Sequence, residues 1–335
     1  MKAAHVQHYN KKNITVTLVD VDKPPVGDND VCIRVLAAGV NPVDNMISRG
    51  EVRMIVPYKL PLVAGNEFVG IVEEIGPKVS RVALHDRVFA RLPLDSIGAF
   101  AEYVVTDETA LAKVPSYLSD VEAAAVPLTA LTAMQAFDIM QVERGKTIFI
   151  SGGTGSVGAM AIPIAKAKGL RVITNGSAAG RDRVLALGAS QFIDYKTEDY
   201  TTMLSGVDYV LDTLGGNETE RQMQILKKGG KLVSLRAMPN GAFARRMNLP
   251  KWKQVVLGIA GHALDTLANN YGVSYDFMFV ESNGKQLQEA ASILETCKVR
   301  PSIDAIYPLE EVNAALANVA KGGSSGKTII TIGGK

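Results

Sequence analysis

The chain has 335 residues, 47% of them hydrophobic and 21% charged, and a formal net charge of +2. This length favours two domains, and the near-balanced charge argues against a nucleic-acid partner, which would require a dense Lys/Arg stripe. Cys32 and Cys297 are too few for a disulfide framework, and no apolar run has the length of a membrane span. We therefore expect a cytoplasmic protein without a membrane partner.

Short alternating apolar runs dominate the first part of the chain. Val31–Ala37 alternates clearly, and the runs 68–75, 87–90 and 100–105 are separated by Gly, Pro and Asp. Strands this short and this close together predict a compact, barrel-like, β-rich domain.

The first helices are predicted after residue 119. Ser119 followed by Glu122 is a capping box, which predicts a short helix that Pro127 interrupts. A second helix is predicted over 129–140.

From residue 147 onward, strands and helices alternate. Helices are predicted at 156–168, 181–187 and 218–226, and strands at Thr147–Ser151, Arg171–Thr174, Gln191–Asp194, Val207–Asp212, Lys231–Leu235 and Tyr275–Val280. Such alternation predicts parallel βαβ units in a doubly wound Rossmann sheet. The stretch 240–272 interrupts this alternation of strands and helices and suggests a helical flap.

The sequence pattern of the last part of the chain resembles that of the first part. Helices at 285–297 and 309–320 lead to an apolar strand at Lys327–Ile332. We therefore predict an α/β protein in which residues 1–122 and 281–335 form one domain and residues 123–280 form an inserted nucleotide-binding domain.

A glycine-rich turn joins the first predicted strand of the inserted domain to its helix. Gly153, Gly155 and Gly158 form G-x-G-x-x-G, and Thr154, Ser156 and Val157 fill the intervening positions. In this setting the glycines allow a tight turn, close approach of a pyrophosphate and close helix–strand packing. The helix N-terminus then offers N–H groups to the phosphates, so we predict a dinucleotide site.

The end of the second strand of that domain indicates which dinucleotide binds. NAD-binding turns place an acid there for the ribose hydroxyls, whereas this chain has Thr174–Ser177 followed by Arg181 and Arg183. Without the acid a 2′-phosphate is not repelled, and Ser177 with Arg181 can donate to it, so we predict NADPH. The alternative is that both arginines are solvated helix residues. Tyr195, after the third strand, is placed beside the adenosine.

These motifs resemble the zinc-independent quinone oxidoreductases and enone reductases of the medium-chain dehydrogenase/reductase superfamily. The resemblance spans nearly the whole chain and rests on the glycine turn together with Ala37–Asp44, Gly65–Gly70, Val72–Gly76, Pro127–Thr132, Ile193–Tyr195, Asp212–Gly215 and Gly326–Lys327. It implies a GroES-like catalytic domain, a Rossmann domain and NADPH. It also implies a homodimer formed through the strand 275–280.

The resemblance extends to further cofactor contacts. Asn41 and Thr132 match positions near the nicotinamide, and Val233 and Lys327 match weaker contacts. The family's basic residue after the second strand is usually a lysine, so Arg181 departs from the pattern. Residues 240–272 match no pattern of the family.

We predict no metal site. Where the zinc-dependent branch of the superfamily has its ligands, this chain has Gly39–Asp44 without thiol or imidazole, and Asn66 where imidazole would precede Glu67. One carboxylate does not hold zinc, which requires three or four ligands.

Without a Lewis acid, conjugate reduction of a small-molecule electrophile is the favoured chemistry. Hydride from NADPH reaches a quinone or an α,β-unsaturated carbonyl compound, and hydrogen-bond donors stabilise the oxyanion that develops. Asn41, Tyr58 and Thr132 are the candidate donors. Asn41 before Pro42 is equally compatible with a turn residue, and Tyr58 with a packed loop residue.

Two alternatives remain open. An enoyl-thioester reductase would use Arg49, Arg53 and Lys59 at the mouth of a wide cleft. A non-catalytic NADPH-binding protein would bind the cofactor without turnover.

Overall fold

The computed structural model describes residues 1–11, 15–323 and 325–333. The fold divides into unit 1, Met1–Leu131 with Glu281–Lys335, and unit 2, Thr132–Val280. The first boundary therefore comes after Leu131, whereas the sequence indicated residue 122.

Unit 1 is built on β-sheets. Its strands are β1 (Lys2–Val6), β2 (Thr17–Asp20), β3 (Asp30–Val40), β4 (Leu62–Val63), β5 (Glu67–Ile75), β6 (Arg87–Arg91), β7 (Tyr103–Asp107), β8 (Ala112–Lys113), β15 (Ile303–Pro308) and β16 (Lys327–Thr331). Within the described residues the larger sheet has the order β15-β16-β3-β5-β6-β8, with β7 paired to β3. The inner faces enclose an apolar core that includes Phe68 and Phe100.

The register of this sheet brings distant residues side by side. Thr328 in β16 pairs with Val40 in β3, and Gly39 in β3 pairs with Glu67 in β5. The α-helices of unit 1 that the structure describes are α1 (Pro42–Arg49), α2 (Asp120–Ala123), α10 (Gly284–Cys297) and α11 (Val312–Lys321). Helix α1, which sequence periodicity did not reveal, begins at Pro42, a residue suited to the first turn because its missing N–H has no helical partner there.

The predicted capping box at Ser119 is confirmed. The Ser119 hydroxyl accepts from the N–H of Glu122, and the Glu122 carboxylate accepts from the N–H of Ser119 at 2.8 Å. The second helix, α3, is Pro127–Met140. It therefore begins at Pro127, two residues before the predicted start at residue 129. The segment Asp120–Met140 is long and apolar enough to cross a membrane, but 83% of its most apolar window is buried inside the fold, as in the core helix of a globular protein.

Unit 2 is the predicted doubly wound sheet. Its strands are β9 (Thr147–Ile150), β10 (Arg171–Gly176), β11 (Gln191–Asp194), β12 (Val207–Asp212), β13 (Leu226–Ser234) and β14 (Ser274–Phe277). All pair in parallel, and their order among the described residues is β11-β10-β9-β12-β13-β14. Successive strands are therefore added to one side of β9 and then, from β12 onward, to its other side, so the strand order reverses between β9 and β12. In such sheets ligands bind outside the carboxyl ends of the strands at that point.

Helices connect the strands of unit 2. They are α4 (Ser156–Ala167), α5 (Arg181–Ala186), α6 (Tyr200–Met203), α7 (Asn217–Gln224), α8 (Gly241–Arg246) and α9 (Lys251–Tyr271). The last two confirm that the stretch 240–272 is helical. The predicted strand 275–280 was too long, because the ladder with β13 ends at Phe277 and the chain then leaves the sheet.

Candidate active site

A buried ion pair lies where β16, β3 and β5 run side by side in unit 1. The ammonium of Lys327 is 2.6 Å from Oε1 of Glu67, with the two side chains 4% and 0% exposed. Lys327 also donates to Oδ1 of Asn41 at 2.5 Å, and Nδ2 of Asn41 donates to Oε1 of Glu67 at 2.8 Å. The second carboxylate oxygen accepts the N–H of Leu128 at 2.7 Å. Each of these buried charges thus has an oppositely charged partner and further hydrogen bonds.

Gly39 is the residue that makes room for this carboxylate. A Cβ at that position would lie 2.5 Å from Oε1 of Glu67 and 2.6 Å from the carbonyl oxygen of Ala124. A side chain there would displace the carboxylate from Lys327. The strand therefore needs glycine at this close approach.

Asp44 orients the residues next to the ion pair. Its carboxylate accepts the backbone N–H of Asn41 and Nδ2 of Asn66, both at 2.7 Å. Burial raises the pKa of Asp44 to about 6, although both hydrogen bonds and the charge of Lys327 oppose the shift. Asn41 is thus the residue preceding α1 and a partner of Lys327, and its amide is already occupied.

Arg91 is buried as well, and Tyr58 is a half-buried residue whose hydroxyl is buried. Arg91 is 0% exposed, donates to the carbonyl of Leu92 and lies 3.5 Å from Oδ1 of Asn66. Its Nε and the hydroxyl of Tyr58 are buried without a hydrogen-bond partner among the described residues. Burial raises the pKa of Tyr58 to about 12, while the nearby charge of Arg91 opposes the shift.

In unit 2 the glycine turn has the predicted tight geometry. A Cβ at Gly153 would lie 1.9 Å from Oγ1 of Thr174, and one at Gly158 would lie 2.4 Å from Cα of Gly153. Gly155 precedes α4, and a Cβ there would make one close contact, at 3.3 Å from the carbonyl oxygen of Gly152. A dinucleotide pyrophosphate fits this arrangement, because the helix start carries no capping side chain and its N–H groups suit an anion.

The end of β10 is tied to the turn by polar contacts. Oδ1 of Asn175 accepts the N–H of Gly152 at 2.8 Å, and Arg183 donates to the carbonyl of Thr154 at 2.5 Å. Arg181, which was predicted to meet the 2′-phosphate, is exposed, and its guanidinium lies 5.9 Å from the ring centroid of Phe192.

The remaining predicted cofactor residues of unit 2 occupy different positions. Ser156 and Val157 form the start of α4, directly after the glycine turn. Ser177 follows β10 and Tyr195 follows β11, so both lie at the carboxyl edge of the sheet, and Tyr195 is 58% exposed. Val233 lies inside β13 and Thr132 on α3, and both are buried.

Asp212 is a buried acid for which sequence reasoning gave no role. Its carboxylate accepts N–H groups of Leu214 and Gly215, together with the side chains of Thr219, Gln222 and Ser234. It thus fixes the loop that leaves β12 at the point where the strand order reverses. In the part of the chain that the structure describes, no group of three or more His, Cys, Asp or Glu residues is suited to a metal ion.

Comparisons with known proteins agree with both units. Residues 27–116 match the family model of the alcohol dehydrogenase GroES-like domain, and residues 187–330 match that of the zinc-binding dehydrogenases. The NAD(P)H oxidoreductase RTN4IP1, mitochondrial, of Mus musculus is 30% identical over 91% of this chain and 82% of its own. The chain belongs to the medium-chain dehydrogenase/reductase superfamily.

Two further relatives place the chain within this superfamily. The 2-methylene-furan-3-one reductase of Solanum lycopersicum is 29% identical over 98% of this chain and 79% of its own. The structure of the quinone oxidoreductase from Coxiella burnetii superposes with a TM-score of 0.83 over 99% of both chains, at 28% identity. The resemblance drawn from the motifs is thereby confirmed, as is the combination of a GroES-like domain with a Rossmann sheet.

Proposed function

We propose that this member of the medium-chain dehydrogenase/reductase superfamily is an NADPH-dependent, zinc-independent reductase of quinones or α,β-unsaturated carbonyl compounds. Its relatives include proteins named as an NAD(P)H oxidoreductase, a quinone oxidoreductase and a reductase of a methylene-furanone, which is an α,β-unsaturated ketone. These names support an oxidoreductase that uses a nicotinamide cofactor. The preference for NADPH and the absence of zinc rest on the residues of this chain.

The observation that carries the proposal is the ammonium of Lys327 on the carboxylate of Glu67. The sequence Gly65-Asn66-Glu67 stands where the zinc-dependent branch has a histidine before the glutamate. Here the carboxylate already has a cation at 2.6 Å and two further hydrogen-bond donors, Nδ2 of Asn41 and the N–H of Leu128. A second cation at this carboxylate would compete with Lys327, which supports a reaction without a metal at Glu67.

NADPH supplies the hydride when it is bound. Gly153, Gly155 and Gly158 leave room for its pyrophosphate at the start of α4. The chain's own residues must then stabilise the negative charge that appears on the acceptor oxygen. Tyr58 is the strongest candidate donor in unit 1, because its hydroxyl is buried with no partner among the described residues. The amide of Asn41, by contrast, is held by Lys327 and Glu67. Thr132 stays a predicted donor.

The preference for NADPH is supported by the carboxyl end of β10. That end carries Asn175 and Ser177 rather than an acid, and Asn175 is used by the turn itself. The nearest acid in the sheet register is Asp194, opposite Gly176, and its carboxylate accepts the N–H of Lys196 in its own turn. Arg181 is exposed and available to a 2′-phosphate.

A substrate panel tests the proposed activity. NADPH oxidation is followed with a naphthoquinone, an alkenal and a crotonyl thioester, each repeated with NADH and with a chelator. We expect turnover of the quinone or the alkenal with NADPH, unchanged by chelation. Turnover of the thioester alone would favour the enoyl-thioester reductase, and tight NADPH binding without any turnover would favour the non-catalytic protein.

Tyr58→Phe then tests the donor. Removal of one oxyanion donor lowers kcat by roughly 10²-fold or more. Tyr103→Phe is the matched control, since it removes a phenol hydroxyl from β7 of the same unit. Equal turnover of the two variants would remove Tyr58 from the mechanism.

The homodimer is also a proposal. Strand β14 is the edge of the unit 2 sheet among the described residues, and an edge strand offers unpaired backbone groups to a second chain. Sedimentation velocity should give twice the mass of the chain, and a monomer would refute this assembly. The cytoplasmic location stays a prediction.

A further inference from the structure

The first half of helix α9 presents an apolar face to solvent. The large hydrophobic side chains exposed there are Trp252, Val255, Val256 and Ile259, which are 58%, 62%, 44% and 74% exposed. With about 3.6 residues per turn, this spacing places all four on one side of the helix. The buried residues Lys253, Leu257 and Gly261 lie on the opposite side. The four exposed side chains form what we call the apolar stripe.

Helix α9 is longer than the strand that follows it. Its 21 residues span about 31 Å, whereas the four residues of β14 span about 13 Å. The end of the helix is fixed beside the sheet, because the carbonyl of Gly272 accepts the N–H of Gly229 at 2.7 Å. Asn240 fixes its second half by donating to Asp265 at 2.7 Å. The first half, which carries the apolar stripe, therefore extends beyond the end of β14.

Cations flank the apolar stripe, and acids are missing from this part of the sequence. Residues 236–264 include five Lys and Arg residues and no Asp or Glu. Lys251 is exposed and lies one helical turn before Val255, on the same side of α9. It forms no ion pair with a residue that the structure describes.

Arg245 of α8 is a second free cation at the stripe. A Cβ at Gly241 would lie 3.3 Å from Nη1 of Arg245 and 3.4 Å from Cα of Gly258, so the guanidinium lies next to the residue that precedes Ile259. Arg245 is exposed and, within the described chain, has no ion pair, whereas the neighbouring Arg246 pairs with Asp276 at 2.8 Å.

This combination of shape and charge fits an anionic lipid surface. A helix face is convex, whereas small molecules bind in concave sites that cover most of their surface. A second copy of this chain packed stripe to stripe would bring the cations of both copies together, with no acid in residues 236–264 to compensate them. A bilayer interface accepts an apolar helix face that carries Trp, and its anionic headgroups attract the flanking cations.

We propose that the apolar stripe is a membrane-docking face, which enters the interface of a bilayer while Arg245 and Lys251 bind the headgroups of anionic phospholipids. The expectation of no membrane partner rested on the lack of an apolar run long enough to span a bilayer. A helix that lies in the interface needs no such run. The inference goes beyond the proposed function and does not depend on it, since docking requires neither cofactor nor acceptor.

Trp252 makes the test direct, because it is the only tryptophan of the chain and its fluorescence reports on the stripe alone. The full chain is mixed with vesicles of phosphatidylcholine and phosphatidylserine. We expect the emission to move to shorter wavelength, brominated acyl chains to quench it, and the protein to sediment with the vesicles. Vesicles of phosphatidylcholine alone should bind roughly 30-fold more weakly, the value expected for two cations at an anionic surface.

Surface variants separate the two contributions. Ile259→Ser should lower the partition coefficient roughly tenfold by removing an apolar side chain from the interface. Lys251→Gln should lower it about fivefold on anionic vesicles only. The matched controls are Ile306→Ser, a 54% exposed position in unit 1, and Lys228→Gln, an exposed position near the start of β13, and neither should change binding.

The wild type alone can overturn the proposal: it fails if anionic vesicles change neither the emission nor the sedimentation of the protein. Equal partition of Ile259→Ser and Ile306→Ser also overturns it. A wild type that ignores vesicles but becomes monomeric on Ile259→Ser would make the stripe an interface between copies of this chain, which overturns membrane docking too. The substrate panel reports separately, because a chain that binds vesicles without turnover refutes the reductase and leaves the docking face intact.

Discussion

The ion pair of Glu67 and Lys327 makes the stability of unit 1 depend on one carboxylate. In Glu67→Gln the amide oxygen can face either the ammonium of Lys327 or the N–H of Leu128, but not both. The NH₂ group of the new amide then points at the other of these two donors, with which it cannot form a hydrogen bond. The ammonium, which is only 4% exposed, loses its counter-charge in both orientations.

The expected cost follows from this burial. Removing one partner of a buried ion pair costs about 3–5 kcal/mol, because the other charge stays buried without compensation. Lys327→Met should cost a similar amount by leaving the carboxylate of Glu67 unpaired. The double variant removes both charges. Its loss of unfolding free energy should therefore be smaller than the sum of the two single-variant losses, by up to about 3 kcal/mol.

Urea unfolding followed by circular dichroism measures these free energies. Lys2→Met is the matched control: it breaks an ion pair with Glu310 whose side chains are 53% and 59% exposed. An exposed pair contributes about 0–1 kcal/mol. If Glu67→Gln costs no more than Lys2→Met, the carboxylate is not held by Lys327 in solution, and the argument against a metal at Glu67 fails.

Three further predictions concern the cofactor and pH. Gly153→Ala should destabilise unit 2, because its Cβ would overlap Thr174. Gly155→Ala, whose Cβ would lie 3.3 Å from the carbonyl oxygen of Gly152, should lower the unfolding temperature much less but bind NADPH more weakly by calorimetry; equal binding would mean that no pyrophosphate approaches Gly155. Arg181→Ala should raise KM for NADPH by roughly 10–100-fold, the value of a charged hydrogen bond, and leave KM for NADH unchanged; equal changes would refute a 2′-phosphate contact. Because burial raises the pKa of Asp44 to about 6, the folded chain retains a proton that the unfolded chain releases near pH 4. Wild-type stability should therefore fall by about 2 kcal/mol between pH 4 and 6 relative to Asp44→Asn; a pH-independent difference would contradict that burial.

The Rossmann half of the fold was predictable from the sequence because its signals are local. Strand-length apolar runs end at glycines or polar residues, and the parallel βαβ rule then restricts how they assemble. Short elements without a strong pattern, such as α1 and α6, were missed. The end of β14 was misplaced because the apolar run continues past Phe277, while the ladder with β13 does not.

The polar cluster that Asn41, Asp44, Glu67 and Lys327 form in unit 1 was predictable only in part. Asn41 and Lys327 were each identified through the resemblance, but they are 286 positions apart, and only the β16–β3 register brings them together. Glu67 and Arg91 carried a signal that was not used: each is a charged residue inside an apolar strand, and they are direct partners in the β5–β6 ladder. A charge in such a run indicates a buried partner.

Hydride transfer without a metal is the central claim, and an isotope experiment tests it most directly. The enzyme is freed of metal by chelation and given an enone together with NADPH deuterated at the hydride position of the nicotinamide, and the product is analysed by mass spectrometry and NMR. The account predicts one deuterium on the β-carbon of the saturated ketone, at an undiminished rate. A product without deuterium, or activity that returns only when zinc is added, would contradict it.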